Sequence, residues 1–311
     1  MSYEQARKPL PESTGVQRVT VPADDAGQRI DNWLMRTLKG VPRSHVYRIL
    51  RRGEVRVNGK RAKPEYRMEA GDEVRLPPVR AEAETGPRRV PDSLIRTVEA
   101  AIVHQDDDLL ALAKPPGLAV HGGSGLSFGV IEALRASRPD ETLELVHRLD
   151  RETSGLLLVA RKRTSLRTLH ALIRDGEMQK RYLALVRGQW DLGRKIIDVP
   201  LDVRGKQGGE RMVKVREGGK ESQSTFEAVD FYGAKGTLMQ VDIATGRTHQ
   251  IRVHAAWANH PVAGDDKYGD REFNEQMREL GLERMFLHAH AVSFEWPGSR
   301  KTFAVSVPLP A

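Results

Sequence analysis

The sequence predicts an α+β fold of mixed, mostly antiparallel strands, preceded by a small α/β module with a pattern of its own. Two observations predict it. Past residue 94, short strand-like segments are interspersed irregularly with a few helical ones, unlike the regular alternation of a doubly wound sheet. Before residue 77 a helix–helix–hairpin pattern is complete in itself, and the stretch 77–93 between the two is proline-rich, charged and aperiodic. The expected organisation is a disordered tail over 1–17, a small module over 18–76, a linker over 77–93 and a larger domain over 94–311.

In the small module, Ile30, Trp33, Leu34 and Leu38 recur at helical spacing and predict a helix over 28–38. Val41-Pro42-Arg43-Ser44 breaks it, with Ser44 placed to cap a second helix that buries Val46, Ile49 and Leu50 and ends at Gly53. Residues 54–57 alternate as a strand, Asn58-Gly59 is a strong hairpin turn, and Glu73–Leu76 reads as a further short strand. In the larger domain, strands are expected over 101–104, 109–112, 156–160, 182–186, 224–229, 237–243 and 291–296. Helices are expected over 129–137, 165–174, Gln250–Trp257 and 271–280.

Composition narrows the class. The chain has 311 residues, 30% charged and 5% aromatic, which suits a soluble protein with a wet surface. No apolar run approaches the ~20 residues of a membrane span, and MSYEQARKPLPESTG lacks the apolar core of a secretory signal. The absence of cysteine excludes disulfides, thiolate catalysis and Cys-based metal sites. A cytoplasmic protein is expected. The net charge of +8 points to a polyanionic partner. Its distribution is more telling than its total, because between Arg36 and Lys63 ten Lys or Arg face one acid, Glu54. Those charges lie on the small module, so nucleic acid is the better reading than a merely solvated face.

The most informative segment is His147-Arg148-Leu149-Asp150-Arg151-Glu152-Thr153-Ser154-Gly155, running into Leu156 to Val159. One carboxylate stands between two arginines, whose charge favours its ionised form. The turn presents it from a rigid base, because the apolar run that follows anchors the segment as a buried strand. Taken alone, such an Asp is more simply a turn residue satisfied by Thr153 and Ser154. Other parts of the chain alter that balance. His249, His254, His288 and His290 are spaced awkwardly for joint ligation and flanked by arginines, so no metal site is expected. His121-Gly122-Gly123-Ser124-Gly125 lacks the Gly-Lys-[Ser/Thr] ending of a phosphate loop and reads as a turn into a helix.

The pattern LRRGEVRVNGKR followed by MEAGDEVRL resembles the S4 RNA-binding domain. HRLDRETSGLLLVARK resembles the catalytic motif of the pseudouridine synthases that act on large-subunit rRNA. The same family carries Lys114-Pro115-Pro116-Gly117 with His121-Gly122-Gly123, a strand Lys180-Arg181-Tyr182-Leu183-Ala184-Leu185-Val186, the block Thr245 to His254, and Leu287-His288-Ala289, all in this order here. Each motif is weak alone; together they are specific and span nearly the whole chain.

That resemblance implies an enzyme that breaks the C1′–N1 bond of uridines in 23S rRNA, or in a precursor of the large ribosomal subunit, turns the uracil and rejoins it through C5. It implies Asp150 as catalytic carboxylate, Tyr182 stacked on the base, and Arg247 paired with Asp150. Arg247 read without the resemblance is a phosphate contact or a surface charge. The resemblance further implies Arg148 as an RNA contact beside the flipped base and Leu287 as an apolar wall. Arg43, Arg48, Arg51, Arg52, Lys60 and Arg61 of the S4-like module would grip RNA through phosphates and shape. No cofactor is expected, since the rearrangement needs no outside atoms, and a monomer is expected. Two other functions compete: a non-catalytic S4-type RNA-binding or ribosome-assembly factor, and a glycosidic-bond hydrolase. The second is weakened by the lack of a second carboxylate.

Overall fold

A computed structural model describes residues 15–38, 41, 43–78, 89–123, 127–202, 206–207, 210–299 and 301–310. The chain divides into two compact units, 1–89 and 90–311. The expected tail over 1–17 falls mostly outside the described residues, and Gln17 already opens a strand.

The first unit contains β1 (Gln17–Thr20), α1 (Ile30–Thr37), α2 (Arg43–Arg52), β2 (Arg56–Val57), β3 (Lys60–Arg61) and β4 (Glu73–Leu76). Its sheet runs β1-β4-β2-β3, antiparallel throughout. Asn58 (φ 48) and Gly59 (φ 78) both occupy the left-handed region, the geometry that makes Asn-Gly the preferred two-residue hairpin. Ile30, Trp33 and Leu34 of α1 pack on Val46, Ile49 and Leu50 of α2 and on Val57, Val74 and Leu76 of the sheet. With those positions buried, Arg48, Arg51 and Arg52 on α2 and Lys60 and Arg61 on β3 are exposed. The side chains of Arg43 and Ser44 lie outside what is described.

The second unit opens with α3 (Asp92–Ala100), which begins inside the stretch expected to be linker. Amphipathic spacing of Leu94, Ile95 and Val98 accounts for it, and Asp92 suits the positive end of its dipole. Then follow β5 (Ile102–Gln105), β6 (Leu109–Lys114), α4 (Val130–Ser137), β7 (Glu144–Leu145), β8 (Ser154–Ala160), α5 (Arg163–Arg174), β9 (Gln179–Arg187) and β10 (Lys195–Asp198). Two short ladders pair β11 (Leu201–Asp202) with β14 (Lys214–Val215) and β12 (Lys206–Gln207) with β13 (Glu210–Arg211). The chain closes with β15 (Gln223–Tyr232), β16 (Gly236–Ile243), α6 (Gln250–Trp257), α7 (Arg271–Glu279), β17 (Leu287–Glu295) and β18 (Thr302–Ser306).

The large sheet is ordered β10-β15-β16-β9-β17-β8-β6-β5, with β18 added to β17 and β7 to β8. Its neighbours are antiparallel except β17 against β8. β6 and β8 are covered on both faces. Leu110, Leu112, Leu157 and Val159 join α3 and α4 in one core, while Leu109, Ala111, Leu156 and Leu158 join Leu169 and Leu172 of α5 in another. This double burial is why the run after Asp150 is continuously apolar rather than alternating.

Where β8 begins, its parallel pairing with β17 sets Ser154 beside His288 and Gly155 beside Ala289. Gly155 has φ 106, and a Cβ there would lie 2.2 Å from the Ala289 carbonyl oxygen, so only glycine permits the approach. The loop carrying Asp150 is thereby pinned against β17.

His254 of α6 is a second anchor, fully buried with Nδ1 at 3.0 Å from Ser224 Oγ and Nε2 at 3.1 Å from Ser222 Oγ. Burial lowers its imidazole to about 4. Between that value and the ordinary 6.5 the unfolded chain binds a proton that the folded one does not. Stability from this group is therefore complete above pH ~6.5 and declines toward pH ~4, by about 3 kcal/mol in all. Urea unfolding midpoints at pH 7 and 4.5 are expected to fall less for His254→Gln than for the unsubstituted protein. An equal fall in both would refute this.

Candidate active site

Asp150 sits in the loop between β7 and β8, about one-fifth exposed, where the Thr153 N–H donates to its carbonyl at 3.2 Å. Two contacts clamp this loop from β6. The Lys114 ammonium, almost fully buried, donates to the carbonyls of Pro115, Leu118 and Arg151 at 2.9, 2.9 and 3.0 Å. The Arg151 Nε donates to the Gly117 carbonyl at 3.0 Å. Burial lowers Lys114 to about 8, partly opposed by the charges of Glu152 and Asp150. Lys114-Pro115-Pro116-Gly117 is thus a brace for the Asp150 loop.

The carboxylate opens into a cavity of about 90 Å³ lined by Arg148, Thr153, Tyr182, Ile243, Gly246, Arg247, His249, Arg252 and Leu287. Tyr182 comes from β9, Leu287 from the start of β17, and both are buried, forming apolar walls. Burial and the charge of Asp150 raise the Tyr182 phenol above its ordinary value, so it stays neutral at physiological pH. Tyr182, Arg148, Leu287 and Arg247 therefore all reach the same pocket as Asp150.

The partner of Asp150 is not the expected one. Arg252 Nη1 donates to Asp150 Oδ2 at 3.0 Å, whereas Arg247 gives its Nε to the Glu221 carbonyl at 2.9 Å. The flanking Arg148 and Arg151 make no ion pair with Asp150 either. Arg252 is held by a two-pronged bond to the buried Asp265, Nε to Oδ2 and Nη2 to Oδ1, both 2.8 Å. The guanidinium fork is therefore spent on Asp265, and one remaining N–H points at Asp150. Burial alone would weaken the Arg252 charge, but the hydrogen bonds and charges of Asp265 and Asp150 outweigh it and raise its value. Asp265, for which burial opposes ionisation, is nonetheless held below its ordinary value by Arg252.

The turn leading to α6 explains the placement. Gln250 is buried and its side-chain oxygen accepts from Thr245 Oγ1 (2.7 Å) and the Arg247 N–H (3.0 Å), while its nitrogen donates to the Gln223 carbonyl (2.9 Å). His249 caps the helix with φ 54 and lies 3.8 Å from Asp150 Oδ2 through Nε2. Its Nδ1 is 2.8 Å from the Tyr268 hydroxyl, which also accepts from the Val213 N–H at 3.0 Å. That leaves the Tyr268 proton for Nδ1 and puts the imidazole N–H at Nε2, facing the carboxylate. Burial lowers His249, so the ring is neutral.

Among the described residues, no three His, Cys, Asp or Glu side chains converge as a metal site would need. Nor, among the described residues, is any helix long and apolar enough to cross a membrane. Arg252, Asp265 and Lys114 went unassigned in the sequence. A charged residue set between Ile251 and Val253 in a helix buried nearly all round was the available signal, because an arginine there requires a carboxylate.

The model of the RNA pseudouridylate synthase family matches residues 108–257, and that of the S4 domain matches residues 28–74. The chain belongs to the RNA pseudouridylate synthase family, an isomerase family, and carries an S4 domain ahead of its catalytic unit. It is 55% identical over 303 residues to ribosomal large subunit pseudouridine synthase C of Salmonella typhimurium, covering 96% of this chain and 94% of that one. The protein of that name from Pasteurella multocida is 54% identical over 296 residues, covering 94% and 90%. Among solved structures, human RNA pseudouridylate synthase domain containing 1 superposes with a TM-score of 0.55 at 26% identity, over 67% of this chain and 82% of that one.

Proposed function

We propose that this protein isomerises uridines of 23S rRNA to pseudouridine, acting in the cytoplasm as a monomer. The observation that carries this reading is the Asp150 carboxylate, held by Arg252 at a cavity with an aromatic wall. Residues 18–76 serve as the RNA-holding module, 77–93 as its tether and 94–311 as the catalytic domain. Arg43, Arg48, Arg51, Arg52, Lys60 and Arg61 contact phosphates, a sequence-independent grip that suits structured RNA.

The target uridine leaves its stack, at a cost of a few kcal/mol, and its base enters the cavity. Tyr182 stacks on it, Leu287 closes the apolar side and Arg148 contacts the RNA beside the flipped nucleotide. Asp150 assists cleavage of C1′–N1, the uracil turns, and C5 bonds to C1′. The C5 proton leaves and N1 gains one, so atoms balance without a cofactor.

The test follows from that balance. A 23S rRNA transcript carrying tritium at uridine C5 is expected to release tritium to water and keep its uracil. Release of free tritiated uracil would indicate a hydrolase; RNA binding with neither product would indicate a non-catalytic factor. Either result would overturn the proposal.

A further inference from the structure

Lys180 is a buried charged side chain near the pocket that the proposed reaction leaves unused. It lies on β9 two residues before Tyr182, on the same strand face, and is only 7% exposed. Among the described residues it has no hydrogen-bond or carboxylate partner. A buried ammionium in that state is costly unless something pairs with it. Its Nζ is not sealed off, because no fully buried nitrogen or oxygen among the described residues lacks a partner.

Where the ammonium points is fixed by Gly246, whose Cβ, were there one, would lie 3.8 Å from Lys180 Nζ. Gly246 and Arg247 both line the cavity that holds Asp150. The charge closest in effect to Lys180 is the Arg247 guanidinium, a second cation, which adds to burial in disfavouring the ammonium. Two like charges, one of them buried, thus lie near the pocket, and among the described residues neither is paired with a carboxylate.

We propose that Lys180, together with Arg247, seats the phosphodiester attached to the uridine whose base fills the pocket. This rests on the reading of the protein as an enzyme acting on RNA. A base in the cavity necessarily carries a phosphate within one nucleotide of it, and a non-bridging oxygen supplies the partner that Lys180 lacks. The pair thereby registers the strand: the phosphate fixes the backbone while the apolar walls hold the base. Lys180 is a binding residue that acts on the backbone, leaving the bond-breaking to Asp150.

The experiment compares the full-length protein with Lys180→Met and Lys180→Arg on the tritiated 23S rRNA transcript. Lys180→Met is expected to raise KM about tenfold or more, the effect of losing one charge-assisted hydrogen bond, with kcat within about threefold. The slope of log affinity against log salt is expected to become shallower by about one phosphate contact, roughly 0.7–0.9. Lys180→Arg is expected to recover most of the affinity. The midpoint of thermal unfolding of Lys180→Met is expected to equal or exceed that of the unsubstituted protein, since an unpaired buried charge is gone. A loss confined to kcat, an unchanged salt slope, or a lowered unfolding midpoint without rescue by arginine would each overturn the phosphate seat. If the unsubstituted protein releases no tritium at all, the assigned activity itself fails and the seat with it.

Discussion

Asp150→Asn is expected to reduce pseudouridine formation by at least about 10⁴-fold, as loss of a central reactive group does in other enzymes. The change is nearly isosteric. The amide oxygen can still accept from Arg252 Nη1, and the loop remains held by Lys114, by the Arg151–Gly117 bond and by the contact of Gly155 with β17. What disappears is the negative charge facing the cavity. Affinity for 23S rRNA is therefore expected to stay within about threefold, because phosphate contacts dominate it. Single-turnover tritium release together with filter binding measures both quantities. Activity within tenfold of the unsubstituted protein would remove Asp150 from the reaction.

Arg252→Met is expected to damage both activity and stability, whereas Arg247→Ala leaves stability intact. Removing the Arg252 guanidinium strands Asp265, whose side chain is 0% exposed, and releases Asp150 from its one charged hydrogen bond. Breaking a buried pair from one side costs about 3–5 kcal/mol, and misplacing the reactive group costs on the order of 10²-fold in rate. Arg247, exposed and bonded through Nε to the Glu221 carbonyl, carries no comparable burden. Urea unfolding separates the two variants, and single-turnover rates rank them. If Arg247→Ala unfolds earlier than Arg252→Met, the assignment of the orienting arginine is reversed.

These two arginines mark where the linear pattern stops being informative. Both stand in Thr245-Gly246-Arg247-Thr248-His249-Gln250-Ile251-Arg252, and side-chain type alone offers no choice between them. Gln250 decides it by folding the turn so that Arg247 lies before the helix and bonds to the Glu221 carbonyl. Arg252 then falls on a helix buried nearly all round, where Asp265 waits 13 positions further on. The missed α3 has a related cause. Proline and charge in 77–93 mask the start of a short helix whose stability comes from packing on α4 and not from its own propensity.

Much else was legible without the fold. The double-faced burial of β8 was written in its unbroken apolar run, the hairpin in Asn58-Gly59, and the exposed positive charge in the arginines left over once Val46, Ile49 and Leu50 were buried. Those features are local, so spacing along the chain suffices to read them. The sequence by itself determined the α+β class, the two modules, and Asp150, Tyr182 and Leu287 as neighbours in one pocket by family resemblance. Only the tertiary structure decided that Arg252 aims Asp150, that Lys114 braces its loop and that Lys180 is buried beside Arg247 without an anion. Each of these depends on a partner from a distant strand or helix, and pairings over such separations are set by how the sheet closes and what it buries.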